Sequence, residues 1–111
     1  MPCQEEINDL VTLQEKLSDQ LIIIGIAIDD SKEKIEKFVQ KEKINFPVLF
    51  DKNSQVKEMY KVKGYPESFF LNSEGKLQLL TDQISGLPES RIRGPREWAS
   101  NFYLKQFLDN K

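Results

Sequence analysis

At 111 residues, the chain has the length of one domain with a single hydrophobic core. Its apolar fraction of 39%, charged fraction of 31% and net charge of −2 are those of an ordinary globular protein, and they argue against a disordered chain and against nucleic-acid or membrane-surface binding. One cysteine and no histidine exclude an internal disulfide framework and argue against a zinc site or a Cys-His catalytic pair. We therefore expect one domain over residues 1–111, with no metal and no other cofactor.

The first half of the chain predicts two helices and a buried strand. Apolar residues recur at helical spacing over 3–17, and Pro2 suits the first turn because its missing N–H costs nothing there. The run Leu21–Ile28 is apolar without alternation, which is typical of a strand buried on both faces in a parallel sheet. Polar residues 29–31 can cap a second helix over 32–42, whose inward side would carry Ile35, Phe38 and Val39.

The second half predicts short strands, a hairpin and a final helix. In chain order these are an extended segment at 46–50, a brief helix after Asp51 and Ser54, a hairpin of strands 68–71 and 76–80 around the turn 72–75, an inserted loop at 82–90, an extended segment at 91–93 and a helix capped by Ser100. A parallel strand–helix unit followed by an antiparallel hairpin indicates the α/β class, with a mixed β-sheet flanked by helices.

Candidate chemistry lies at the start of the chain, where Pro2, Cys3 and Glu6 have the spacing of the end of a Cys-x-Pro-Cys-x-x-Glu site. In a Cys-x-x-Cys pair, the first thiol attacks a substrate disulfide and the second resolves the mixed disulfide. Cys3 would be the resolving thiol, and the attacking cysteine would directly precede Met1. The strand at 21–28 also lacks a predicted neighbour, so we expect the preceding segment to hold a strand that ends at that cysteine. The plain alternative is that Cys3 is one of the many single cysteines that act as small buried hydrophobic residues.

Six segments, taken in order, resemble those of the TlpA-like thiol-disulfide oxidoreductases, a redoxin class with the thioredoxin fold. They are residues 2–6, 23–30, 46–51, 60–71, 72–76 and 94–98. Each segment is a weak signal, but the ordered set spans nearly the whole chain and is specific. The resemblance implies a thioredoxin-like α/β fold in which the first central strand is missing, so that the chain is N-terminally truncated.

The resemblance assigns roles to five residues. Cys3 matches the resolving cysteine of the redox-active centre. Tyr65 and Pro66 match the cis-proline loop that binds an extended substrate. The plain alternative is a trans peptide bond before Pro66, which is the ordinary state. Glu6 and Glu67 match acidic residues near the thiols, where a carboxylate would raise a thiol pKa by charge repulsion and relay protons. Their plain alternatives are a helix N-terminal carboxylate for Glu6 and a surface position for Glu67.

The implied activity of the parent protein is reduction of disulfides in other proteins outside the cytoplasm, in the bacterial periplasm or on a membrane tether. The 111-residue chain itself is expected to be inactive, because one thiol cannot both attack and resolve. The expected partners are disulfide-containing proteins, with no nucleic acid and no membrane contact from this domain. Because the missing strand leaves a gap, we also expect self-association by strand exchange, or closure of the gap by residues 82–93.

Two other functions remain open at this point. A peroxiredoxin-like peroxidase shares the fold, but it places an arginine just before the strand at residue 68, where this chain has Tyr65, Pro66 and Glu67. A redox-inactive thioredoxin-like module that binds extended peptides would need no second cysteine. Trp98 matches a position that we interpret as packing.

Overall fold

The computed structural model describes residues 2–28, 31–62 and 66–109, and within α1 it describes side chains from Glu5 onwards. The helices of this part are α1 (Pro2–Lys16), α2 (Lys32–Lys41), α3 (Gln55–Met59) and α4 (Asn101–Asp109), with a 3-10 turn at Lys52–Ser54. The strands are β1 (Gly25–Ala27), β2 (Val48–Phe50), β3 (Glu67–Phe69), β4 (Leu80–Thr81), β5 (Pro88–Glu89) and β6 (Arg91–Arg93). None of these helices is long and apolar enough to cross a bilayer.

The predicted helices are all present, and α2 begins at its predicted cap. The Ser31 hydroxyl accepts a hydrogen bond from the backbone N–H of Lys34 at the start of α2. The Asp51 carboxylate accepts hydrogen bonds from the backbone N–H groups of Val56 and Lys57 in the first turn of α3, at 2.8 and 2.9 Å. Ser100 directly precedes α4 as predicted, and its carbonyl accepts a hydrogen bond from the backbone N–H of Leu104 at 3.0 Å, but its hydroxyl has no hydrogen-bond partner among the described residues. Phe38 is 42% exposed rather than inward, because no described element covers that side of α2.

The predicted mixed sheet is divided, in the described part of the chain, into three two-stranded sheets. β1 and β2 are parallel, whereas β3 pairs with β6 and β4 pairs with β5 in antiparallel fashion. The predicted hairpin is reduced to a bridge between Leu71 and Leu77 around the turn at 72–75. The second strand of the hairpin is displaced because β6 pairs along β3. The segment 82–90, predicted as a loop, contains β5.

The strand β1 is shorter and more exposed than predicted. Ile22, Ile24 and Ile26 are 78%, 56% and 41% exposed, so the prediction of a strand buried on both faces is wrong for this part of the chain. The backbone N–H of Gly25 and the C=O of Ala27 hydrogen-bond to the β2 side of the strand. The N–H and C=O groups of Ile26, between them, therefore point to the opposite edge of β1. The described residues offer no hydrogen-bond partner there. One face and one edge of β1 are therefore open.

The core lies between α1, β6 and α4. Its fully buried members are Leu13, Leu17, Ile92, Trp98 and Tyr103. The rings of Trp98 and Tyr103 lie 4.6 Å apart, centroid to centroid, in the tilted arrangement that aromatic pairs adopt. This packing fixes the segment between β6 and α4 against the side of α1 that carries Glu6.

Candidate acid–base site

The carboxylate of Glu6 is buried at the N-terminal part of α1, with 6% of the residue exposed. Its Oε2 atom accepts hydrogen bonds from the indole Nε1 of Trp98 at 2.8 Å and from the backbone N–H of Arg96 at 3.1 Å. Burial raises the pKa of Glu6, and the hydrogen bonds from Trp98 and Arg96 limit that rise. The sequence places Glu6 correctly in the first turns of a helix, but an ordinary helix-terminal glutamate would be exposed.

Cys3 precedes Glu6 by three residues within α1. Positions three apart on a helix are neighbours on its surface, and the first turn favours a thiolate through the partial positive charge of the helix terminus. The side chain of Cys3 lies outside the described atoms, so its approach to Glu6 stays a prediction. Tyr65 and the predicted cis bond to Pro66 also lie outside the described residues.

Glu67 is not the surface residue of the plain alternative. Its side chain is 1% exposed and lies between two guanidinium groups of the adjacent strand, with Nη2 of Arg91 and Nε of Arg93 each at 2.8 Å. The strand register explains this arrangement, since Glu67 lies directly opposite Arg93 in the β3–β6 pair. With two arginines compensating its charge, Glu67 is a weaker candidate than Glu6 for moving protons.

Strand β6 and the segment that follows it contact all three predicted site residues that the structure describes. The β6 arginines bind Glu67, the Gly94 N–H donates to the carbonyl of Pro66 at 2.8 Å, and Trp98 binds Glu6. Trp98 packs in the core as predicted, but its hydrogen bond to Glu6 was not foreseen. The polar end of a buried tryptophan usually finds a partner, and that rule was the available signal.

A second buried carboxylate, Asp82, lies in the segment that the sequence suggested was an inserted loop. Arg96 binds it through Nε at 2.8 Å and Nη2 at 3.1 Å, and the Tyr103 hydroxyl donates to it at 3.2 Å. These contacts, with that from Arg96 foremost, hold the pKa of Asp82 far below its usual range. Asp82 therefore stays ionised at neutral pH, whereas the pKa of Glu6 is raised. Carboxylates whose pKa values are pushed apart in this way take different roles, and Glu6 is the one suited to proton exchange.

A comparison with protein families matches residues 1–80 to the AhpC/TSA family. Among curated proteins, the chain is 26% identical over 92 residues to the thiol-disulfide oxidoreductase ResA of Oceanobacillus iheyensis, covering 77% of this chain and 48% of that protein. It is 30% identical over 77 residues to ResA of Bacillus subtilis, covering 68% of this chain and 43% of that protein. The chain thus spans about half the length of these relatives.

Two solved structures share the fold. One is a putative thiol:disulfide interchange protein DsbE from Chlorobium tepidum, with a TM-score of 0.76, 23% identity, and coverage of 98% of this chain and 70% of the other. The second is StoA from Bacillus subtilis, with a TM-score of 0.70, 21% identity, and coverage of 96% of this chain and 72% of the other. The predicted thioredoxin-like α/β fold is confirmed by these structures.

Proposed function

Because the chain belongs to the AhpC/TSA family, we propose that it is part of a thiol-disulfide oxidoreductase in which Cys3 is the resolving thiol and Glu6 exchanges its proton. The observation that carries this proposal is the buried carboxylate of Glu6, three residues after Cys3 on one helix, with its pKa raised by burial. The names of the curated relatives support the same chemistry. Disulfide-containing proteins are the proposed substrates.

The proposed reaction follows the ordinary course of thiol–disulfide exchange. An attacking cysteine outside this sequence forms a mixed disulfide with the substrate, and Cys3 loses its proton to Glu6. The sulfur of Cys3 then bonds to the sulfur of the attacking cysteine, the mixed disulfide breaks, and the substrate sulfur leaves as a thiolate. Protonated Glu6 or water returns a proton to that thiolate. Two electrons pass from the cysteine pair to the substrate, and the pair becomes a disulfide.

The arginines disfavour the peroxidase alternative. A peroxidatic thiolate needs a nearby guanidinium, and the sequence has arginine only at positions 91, 93 and 96. Arg91 and Arg93 bind Glu67, and Arg96 binds Asp82. Each arginine is thus already committed to a buried carboxylate.

We propose that the whole protein acts outside the cytoplasm, in the periplasm or on a membrane tether. The likeness to bacterial thiol-disulfide oxidoreductases supports this placement. Disulfides of substrate proteins form and persist chiefly in oxidising compartments, which is a general reason for it.

We expect the 111-residue chain to show no turnover as a dithiol reductase, because its single thiol cannot both attack and resolve. A variant with a cysteine inserted directly before Met1 should gain insulin reduction above background, and Cys3→Ser in that variant should abolish multiple turnover. Turnover by the unaltered chain that is lost on Cys3→Ser would contradict the proposed roles. An inactive inserted variant with intact fold would favour the peptide-binding module instead.

We further propose that the isolated chain associates with a second copy through β1. The support is the open edge of this strand together with the exposed isoleucines at 22, 24 and 26. Leu49, which lies opposite Ile26 in the parallel pair, extends the same apolar face and is 54% exposed. Open edges of this kind pair readily with another strand.

A further inference from the structure

The carboxylate of Glu6 is held by only one of its two oxygens. Both described hydrogen bonds, from the Trp98 indole and from the Arg96 backbone, end on Oε2. No described residue donates to Oε1. A carboxylate held in this way keeps a fixed orientation while one oxygen stays available for a proton.

Both donors are themselves fixed by neighbouring groups. The two-point ion pair between Arg96 and Asp82 restrains the rotation of Arg96. The Tyr103 hydroxyl donates to Oδ1 of Asp82, the oxygen that also accepts from Nε of Arg96. On the other side, the Trp98 ring packs between Tyr103 and Phe70, at centroid distances of 4.6 and 5.7 Å. Residues 96–98 are thus braced by an ion pair at one end and by aromatic packing at the other.

We propose that Arg96 and Trp98 are positioning residues that hold Oε2 of Glu6 and leave Oε1 as the atom that exchanges the proton. The proposal rests on the proposed function of Glu6 beside Cys3, and it adds the residues that set the orientation and charge of the carboxylate. Among the described residues, the charged groups that bear on Glu6 are Asp9 of the same helix, which raises its pKa, and Arg96 of the facing segment, which lowers it.

A purely structural role for Trp98 makes a different prediction. Trp98 is 2% exposed and would contribute packing whatever the charge of Glu6. In that case removal of the indole N–H would leave the pKa of Glu6 unchanged. A hydrogen bond to a carboxylate is stronger when the carboxylate is charged, so a positioning role couples the two groups.

The chain contains one tryptophan, so its indole N–H gives a single, assignable NMR signal. In the unaltered chain we expect this signal to move with pH along the same curve as the carboxyl carbon of Glu6. In Glu6→Gln the pH dependence should be lost while the signal stays dispersed as in a folded protein. An indole signal that does not titrate, or one that titrates equally in Glu6→Gln, would overturn the proposal.

A second variant tests the same point from the tryptophan side. Trp98→Phe removes the donor, so the pKa of Glu6 should rise further, as followed by its carboxyl carbon. Phe107→Leu is the matched control, because Phe107 joins the same aromatic cluster through Phe70 without contacting Glu6. Equal pKa values of Glu6 in Trp98→Phe and in the unaltered chain would overturn the proposal. If Trp98→Phe does not fold, the comparison of the indole N–H signal in the unaltered chain and in Glu6→Gln decides the question. Neither readout depends on thiol reactivity, so a failure of the proposed redox function would appear separately, in the alkylation of Cys3.

Discussion

Asp82→Ala should destabilise the chain by about 3–5 kcal/mol, because it leaves the buried guanidinium of Arg96 without its partner. The side chains of Arg96 and Asp82 are only 10% and 7% exposed, so the pair is largely removed from bulk water. A domain of this size has a total stability of about 5–15 kcal/mol, and the variant should therefore be close to unfolding. Urea denaturation followed by tryptophan fluorescence measures the change.

The exposed pair of Lys76 and Glu74 provides the matched control for this substitution. These side chains are 77% and 72% exposed and lie 3.7 Å apart, so Glu74→Ala should change the stability by about 0.5 kcal/mol or less. Equal effects of Asp82→Ala and Glu74→Ala would show that the buried pair does not brace the fold.

Acid titration gives an independent signature of the same pair. Arg96 holds the pKa of Asp82 below its unfolded value, so the unfolded chain binds this proton more tightly than the folded chain. The stabilisation is present above about pH 4, where the unfolded aspartate is ionised, and it is lost progressively as the pH falls further. Asp82→Ala should accordingly lose less stability between about pH 4 and pH 2 than the unaltered chain does.

We expect Ile24→Lys to abolish the proposed association between two copies of the chain. Ile24 directly precedes β1 and is 56% exposed, so a lysine there would place a charge within the proposed interface. Sedimentation equilibrium at micromolar concentrations should show association in the unaltered chain and a single monomeric species in the variant.

Ile84→Lys is the matched control for that experiment, since Ile84 is 74% exposed and lies between β4 and β5, outside both strands of the parallel pair. It should leave the association unchanged. A stable unaltered monomer that unfolds cooperatively at micromolar concentration would refute the proposed association, and equal loss of association in Ile24→Lys and Ile84→Lys would refute its location.

The helices of this chain could be predicted from sequence because their causes are local. The apolar spacing of α1 and the cap at Ser31 act within a few residues, and the structure has helices at both positions. The exposure of β1 could not be predicted in the same way. A run of isoleucines indicates that a strand can be buried, but burial depends on which elements lie beside it.

The candidate site was predictable only in part for the same reason. The spacing between Cys3 and Glu6 is a local pattern, and it identified the glutamate. Its partner Trp98 is 92 residues away in the chain, and the pair of Asp82 with Arg96 joins a segment without periodicity to the residues before α4. Contacts of this kind arise from tertiary packing, and no single-sequence pattern encodes them.

The central claim is that Glu6 governs the ionisation of Cys3, and the most direct test is the pH dependence of Cys3 alkylation. Iodoacetamide reacts with the thiolate, so the rate follows the fraction of ionised thiol. In Glu6→Gln the midpoint of the rate curve should move to lower pH, because the negative charge that opposes ionisation is removed. Glu5→Gln removes the same charge from an exposed position in the first turn and should move the midpoint much less. Identical curves for the unaltered chain and Glu6→Gln would contradict the claim.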